Sequence, residues 1–209
     1  METLKKALIL GFFILLATPT ILAQSNFLNL QEAFNKSYSF EAEGNFKSAA
    51  DQIKMVYEET SYEANLRLGW LNYMGGNFNE SIAFYKKAIL LMPYADEAKF
   101  GYIFPLSALG HWDEVILEYN KILENSPHNT KALYYLGTIY YNRAQYDKAL
   151  KYFKQIVDLY PFNYDGVLMY GWSSLKIGMK KEAKMLFQKA LLNRPGDSSA
   201  TKGLALAIQ

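Results

Sequence analysis

The chain of 209 residues has no cysteine, two histidines, six prolines and a formal net charge of only +2. Without a thiol there is no disulfide framework, thiolate zinc site, cysteine nucleophile or lipid-modified N-terminal cysteine. A chain without thiols suits either redox compartment, so this absence does not fix one. The near-neutral balance gives no electrostatic footprint for nucleic acid. His111 and His128, both at predicted turns, match no metal-ligand spacing. H-E-x-x-H, G-x-S-x-G and phosphate-cradling glycine loops are missing too. The acidic pairs Glu58–Glu59 and Asp96–Glu97 fall at predicted helix ends, where the helix dipole and solvation account for them. These residues predict no catalytic, cofactor or metal site, and the chain reads as a non-enzyme. The sequons at Asn35 ("NKS") and Asn79 ("NES") lie in predicted helices and read as chance matches. What is abundant is apolar surface: 51% of residues are hydrophobic and 16% aromatic, far too many for a disordered chain.

One apolar run stands apart. Lys5 and Lys6 precede "ALILGFFILLA" (residues 7–17), Pro19 breaks the run, and "TILA" leads into "QSN". A basic start, a short apolar stretch, a breaker and an alanine predict a signal peptide over residues 1–23, cut after Ala23, and an exported protein of the periplasm or cell envelope. The alternative is an uncleaved anchor, since residues 7–23 are just long enough to span a bilayer.

The remaining chain keeps a beat. Pro93, Pro127, Pro161 and Pro195 are each 34 residues from the next. Between them, residues recur at fixed places: Leu68, Gly69, Gly76, Tyr85 and Ala88; then Leu136, Gly137, Tyr140, Ala149 and Phe153; then Tyr170, Gly171, Gly178, Ala183, Phe187 and Ala190. A period of 34 is that of a repeating helical hairpin, and this pattern closely resembles the tetratricopeptide repeat (TPR). The resemblance implies an all-α, right-handed solenoid of about five hairpins, near residues 30–61, 62–95, 96–129, 130–163 and 164–197. A short lead (24–29) precedes them and a capping helix (198–209) follows. Each recurring residue has a mechanical reason. Small residues let paired helices approach. Glycine at position 15 of the repeat permits positive φ in the turn. Proline at position 32 ends the second helix and drives its predecessor out of helical geometry. The aromatic at position 17 (Phe46, Phe78, Trp112, Tyr146) is expected to cover the hairpin end; the last repeat has Lys180 there.

Two repeats deviate. The first is two residues short and has Ser61 where proline is expected, so Thr60 with Glu63 is predicted to cap the next helix. The third has Ile103 at the small-residue place and Pro105 inside its first helix, read as a tolerated bend that makes room for Ile103.

In this family the first helices line a concave groove that holds a segment of a partner, mainly from positions 2, 5, 9 and 12. By resemblance these are Phe34 and Tyr38; Leu66, Trp70 and Tyr73; Phe100 and Phe104; Tyr134 and Tyr141; Leu168 and Trp172. Gln31, Glu63, Glu97, Lys131 and Asp165 mark the edge. Phe100 and Tyr134 are expected to pack as core. Tyr38, Trp70, Tyr73, Phe104, Tyr141 and Trp172 are the candidate partner-binding residues. Members of the family that grip acidic chaperone tails use a carboxylate clamp of lysines, asparagines and arginine. Here only Lys131 matches such a place, so an apolar segment of a partner protein or peptide fits better. The implied function is an exported scaffold with no cofactor and no nucleic acid, touching membrane only through an uncleaved N-terminus. The competing function is an exported module that stacks small ligands such as glycans on the same rings.

Overall fold

The computed structural model describes residues 27–209; the apolar run and the cleavage point after Ala23 lie outside the described residues. Every regular element among the described residues is an α-helix, so the fold is all-α. The described residues divide into two compact units, the first ending at Gly110 and the second beginning at His111.

The first unit holds α1 (27–42), α2 (Phe46–Lys54), α3 (Tyr62–Met74), α4 (Phe78–Leu91) and α5 (Asp96–Ala108). The second holds α6 (Trp112–Asn125), α7 (Thr130–Asn142), α8 (Tyr146–Leu159), α9 (Tyr164–Lys176), α10 (Lys180–Asn193) and α11 (Ser198–Ala207).

The prolines punctuate as expected. α4, α6, α8 and α10 each stop two residues before one, and the intervening Met92, Ser126, Tyr160 and Arg194 all sit near φ −130° and ψ +80°. That extended geometry is what a following proline ring imposes. Gly76, Gly110 and Gly178 turn at φ 78°, 76° and 84°, and Ala144 takes the same place at φ 57°, a left-handed conformation that costs a residue with a Cβ. The capping expectation needs one correction. Ser61, not Thr60, is the N-cap of α3: its hydroxyl accepts from the Ala64 N–H at 3.1 Å, and Thr60 lies one residue too early to reach. Asn129, Asn163 and Asp197 do the same for α7, α9 and α11. α5 starts at Ala95 without a side-chain cap, and the buried Lys99 Nζ ties down the entering loop by donating to the carbonyls of Pro93 (2.6 Å) and Ala95 (3.3 Å). α5 runs through Pro105 to Ala108 without interruption.

The packing explains the small residues. Tyr85, on α4, presses its ring against Gly69 of α3 on one side and Gly101 of α5 on the other. A Cβ added at Gly69 would meet that ring at 2.9 Å, and one at Gly101 at 2.2 Å. Phe187 of α10 is held in the same way between Gly171 of α9 and Gly203 of α11. Gly101 and Gly203, both at position 6, thus meet the ring of the preceding hairpin, while position 8 of the third repeat is held by buried Ile103. Within the hairpins, the Ser81 hydroxyl donates to the Gly69 carbonyl at 2.7 Å. Aromatics at position 17 meet those at position 12 across the turn: Phe78 lies 5.9 Å from Tyr73, and Tyr146 lies 5.2 Å from Tyr141. Trp112 instead stays 45% exposed.

Candidate functional site

The first helices of the N-terminal unit carry aromatics at helical spacing, which places them on one face of each helix. On α1, Phe34 and Tyr38 are one turn apart with ring centroids 6.4 Å from each other. On α3, Leu66, Trp70 and Tyr73 follow at steps of four and three. α5 contributes Phe100 and Phe104. The rings meet between helices. Trp70 lies 5.9 Å from Tyr73 and, edge-on, 6.2 Å from Phe104, while Tyr73 and Phe104 stack at 5.4 Å. Offset and edge contacts of this kind are the favoured aromatic geometries. Trp70 and Tyr73 are half-buried; Phe104 keeps 40% of its surface in solvent and Tyr38 keeps 55%.

A polar node beneath these rings fixes them. Arg67, nearly buried, lays its guanidinium 4.0 Å over the Tyr38 ring and donates from Nε to Ser37 Oγ at 3.1 Å. Its Nη1 donates to one carboxylate oxygen of Glu41, and the Trp70 indole N–H donates to the other. A buried guanidinium is tolerated only when its charge is paired, and the planar fork suits both the carboxylate and the ring face. Glu41 thus joins α1 to α3 and locks the Trp70 rotamer. The sequence reading missed this node. The available signal was Arg67 itself, a lone charge among the core positions Ala64, Leu68 and Leu71.

In the C-terminal unit the candidate rings have other surroundings. Tyr141 is half-buried against Tyr146. Trp172 packs edge-on to buried Phe187 at 5.1 Å, joins Leu168, Leu175 and Leu204 around it, and donates from its indole to Ser199 Oγ at 3.0 Å. Trp172 therefore helps seat the terminal helix. Phe100 is half-buried, and Tyr134 lies 5.8 Å from buried Phe153. His111 and His128 are exposed, and among the described residues no group of three or more His, Cys, Asp or Glu could hold a metal ion. Burial raises the hydroxyl pKa of Tyr85 and Tyr119, and burial together with bonds to Glu182 and Glu97 raises Tyr170 and Tyr62, the last to about 12. These are packing effects on neutral tyrosines.

Comparison with known proteins agrees with the geometry. Residues 63–91 and 130–163 match models of the tetratricopeptide repeat. The TPR repeat-containing protein YpiA of Bacillus subtilis (strain 168) is 29% identical over 159 residues, or 74% of this chain. The chain spans 37% of that relative's length. Among solved structures, a tetratricopeptide repeat protein from Parabacteroides merdae superposes with a TM-score of 0.72 at 21% identity, covering 86% of this chain and 72% of that one. MamA from Desulfovibrio magneticus RS-1 superposes with a TM-score of 0.66 at 20% identity, covering 81% of this chain and 98% of its own. At these identities the structural likeness is one of fold. With the 34-residue lattice, the helical hairpins and the two matching repeats all in agreement, the chain belongs to the tetratricopeptide-repeat family.

Proposed function

We propose that the chain is an exported scaffold that docks an apolar segment of a partner protein on its first-helix aromatics, with Tyr38, Trp70, Tyr73 and Phe104 as the principal anchors. TPR arrays act in general by protein–protein interaction and are typically non-catalytic, and no catalytic role is proposed here. The observation that carries the reading is the cluster of Trp70, Tyr73 and Phe104. Three rings held within 6.2 Å of one another stay partly in solvent, while Glu41, paired with the nearly buried Arg67, fixes Trp70. Exposed large rings cost solubility unless they are used. Rings already locked in place lose little freedom on binding, which is what makes aromatics strong interface anchors. On the C-terminal unit Tyr141 and Trp172 are separate candidate anchors, Trp172 with the smaller share because its indole N–H is taken by Ser199 and its ring packs on Phe187. Glycan stacking finds less support, since it needs open ring faces and Tyr73 and Phe104 stack on each other. Lys5, Lys6 and the apolar run support export.

The test is capture of partners by the full chain from an envelope extract, followed by affinity measurement on Phe104→Ala and Trp70→Phe. Loss of a hot-spot ring costs about 2 kcal/mol or more, so Phe104→Ala should weaken binding about thirtyfold with little change in thermal midpoint. Unchanged affinity in both variants, or capture of glycans alone, would overturn the reading. N-terminal sequencing of the mature protein should begin at Gln24; a retained Met1 in the membrane fraction would mean an anchor.

A further inference from the structure

The exposed face of α10 differs from those of α4, α6 and α8, and it points to a ligand surface separate from the aromatic face. α2 also lacks an acid in its first turn, but its Lys47 there is paired with Asp51. In α4, α6 and α8 the first turn carries Glu80, Asp113 with Glu114, and Asp147, acids that complement the positive end of the helix dipole. α10 opens instead with Lys180 and Lys181, and Lys180 stands where the other hairpins place an aromatic. These cations oppose the dipole, so local helix stability does not explain them. The one acid of that turn, Glu182, accepts a hydrogen bond from the Tyr170 hydroxyl.

At 100° per residue, Lys180, Lys184, Gln188, Lys181, Leu192 and Met185 fall in that order on one continuous arc of α10. All six are exposed, Leu192 by 75% and Met185 by 61%. Among the described residues, none of the three lysines forms an ion pair. The surroundings reinforce the sign. Residues 176–209 hold seven basic and two acidic side chains, net +5, whereas residues 1–175 hold fifteen and eighteen, net −3. At the far end of the helix, Asn193 donates to the Phe162 carbonyl at 2.7 Å, which ties the loop before α9 to α10.

We propose that this face of α10 rests on an anionic lipid surface, with Lys180, Lys181 and Lys184 at the headgroups and Met185 and Leu192 in the interfacial layer. A helix with uncompensated lysines and exposed apolar side chains on one arc is the pattern of interfacial membrane binding. An acidic protein or a nucleic acid would also neutralise the lysines, but neither needs bare Leu192 and Met185 among them. The face also lacks arginine, whose planar fork suits carboxylate and phosphate recognition. No helix among the described residues is long and apolar enough to cross a membrane. The lipid contact does not rest on the partner-docking reading above, which uses other side chains.

The experiment is co-sedimentation of the full chain with two vesicle types, phosphatidylcholine alone and phosphatidylcholine with about one third phosphatidylglycerol, at low and high salt. The N-terminal apolar run contributes to both vesicle types, so the readout is the difference between them. Each lysine near an anionic surface contributes about fivefold in partitioning, so K180Q/K181Q/K184Q should reduce the anionic component about a hundredfold. A control with the same loss of charge elsewhere, K36Q/K47Q/K86Q, should retain most of it. M185S/L192S should weaken binding in a salt-independent way. All substituted positions are exposed, so circular dichroism should be unchanged. Equal sedimentation with both vesicle types, equal loss in the charge-matched control, or tighter binding to polyglutamate or single-stranded DNA than to the anionic vesicles would each overturn the proposal.

Discussion

Substituting Gly101 by alanine should destabilise a helix that, on propensity alone, it ought to strengthen. Gly101 lies inside α5, and glycine to alanine in a helix interior normally gains about 0.5–1 kcal/mol. Here the added Cβ would fall 2.2 Å from Cε1 and 2.5 Å from Cζ of Tyr85. Those are ring atoms of a side chain only 2% exposed, and its retreat is blocked by Gly69, whose own Cβ position is 2.9 Å from the same ring. Relief therefore requires α5 and α4 to separate, an overpacking strain of about 1–3 kcal/mol. After subtracting the propensity gain, the net loss is about 0.5–2 kcal/mol. For a protein of this size that is a fall of about 1–8 °C in thermal midpoint. Gly69→Ala, with a milder approach, should fall by less. Tyr85→Leu removes the obstructing ring atoms, so the loss for Gly101→Ala should shrink or reverse in that background, and the double-mutant cycle measures the coupling. A Gly101→Ala variant more stable than the parent would refute the reasoning.

Four further outcomes are open to measurement. Ala144→Gly should raise stability by up to about 1 kcal/mol in urea titration, because the left-handed turn at φ 57° strains a Cβ that glycine lacks; Ala144→Val should lower it. Glu41→Ala leaves the Arg67 guanidinium nearly buried and unpaired and should cost about 2–3 kcal/mol, less than for a wholly buried pair because Glu41 is partly solvated. Glu63→Ala should stay within about 0.5 kcal/mol. Gly137→Leu should force α7 from α8, since even a Cβ would lie 2.7 Å from the Phe153 ring, and should lower the midpoint far more than Lys176→Gln. Tyr62, Tyr85, Tyr119 and Tyr170 have pKa values raised from 10.0, so the folded state binds their protons more tightly than the unfolded state. Their contribution is complete below pH 10 and declines above it, giving an alkaline transition that starts near pH 10. The lowered carboxylates Glu32, Asp51, Glu59 and Asp197 are solvated and should give only a shallow acid limb.

The sequence by itself determined the family and the all-α fold. A proline every 34 residues, a small residue where helices approach and glycine at a left-handed turn are each demanded by backbone geometry, so they read directly from residue type. Aromatics at position 17 and Gly137 against position 24 followed from the same period. What only the tertiary structure decided depends on neighbours distant in sequence. Ser61 rather than Thr60 caps α3, because a one-residue shift decides which hydroxyl reaches Ala64. Gly101 at position 6 is a second close approach, because the Tyr85 ring arrives from the preceding hairpin. Trp70 and Trp172 share a repeat position, yet one is tied to Glu41 and set among open rings while the other is pinned by Ser199 against Phe187. Their partners come from different helices, and a 34-residue period records where a side chain starts, not what is waiting opposite it.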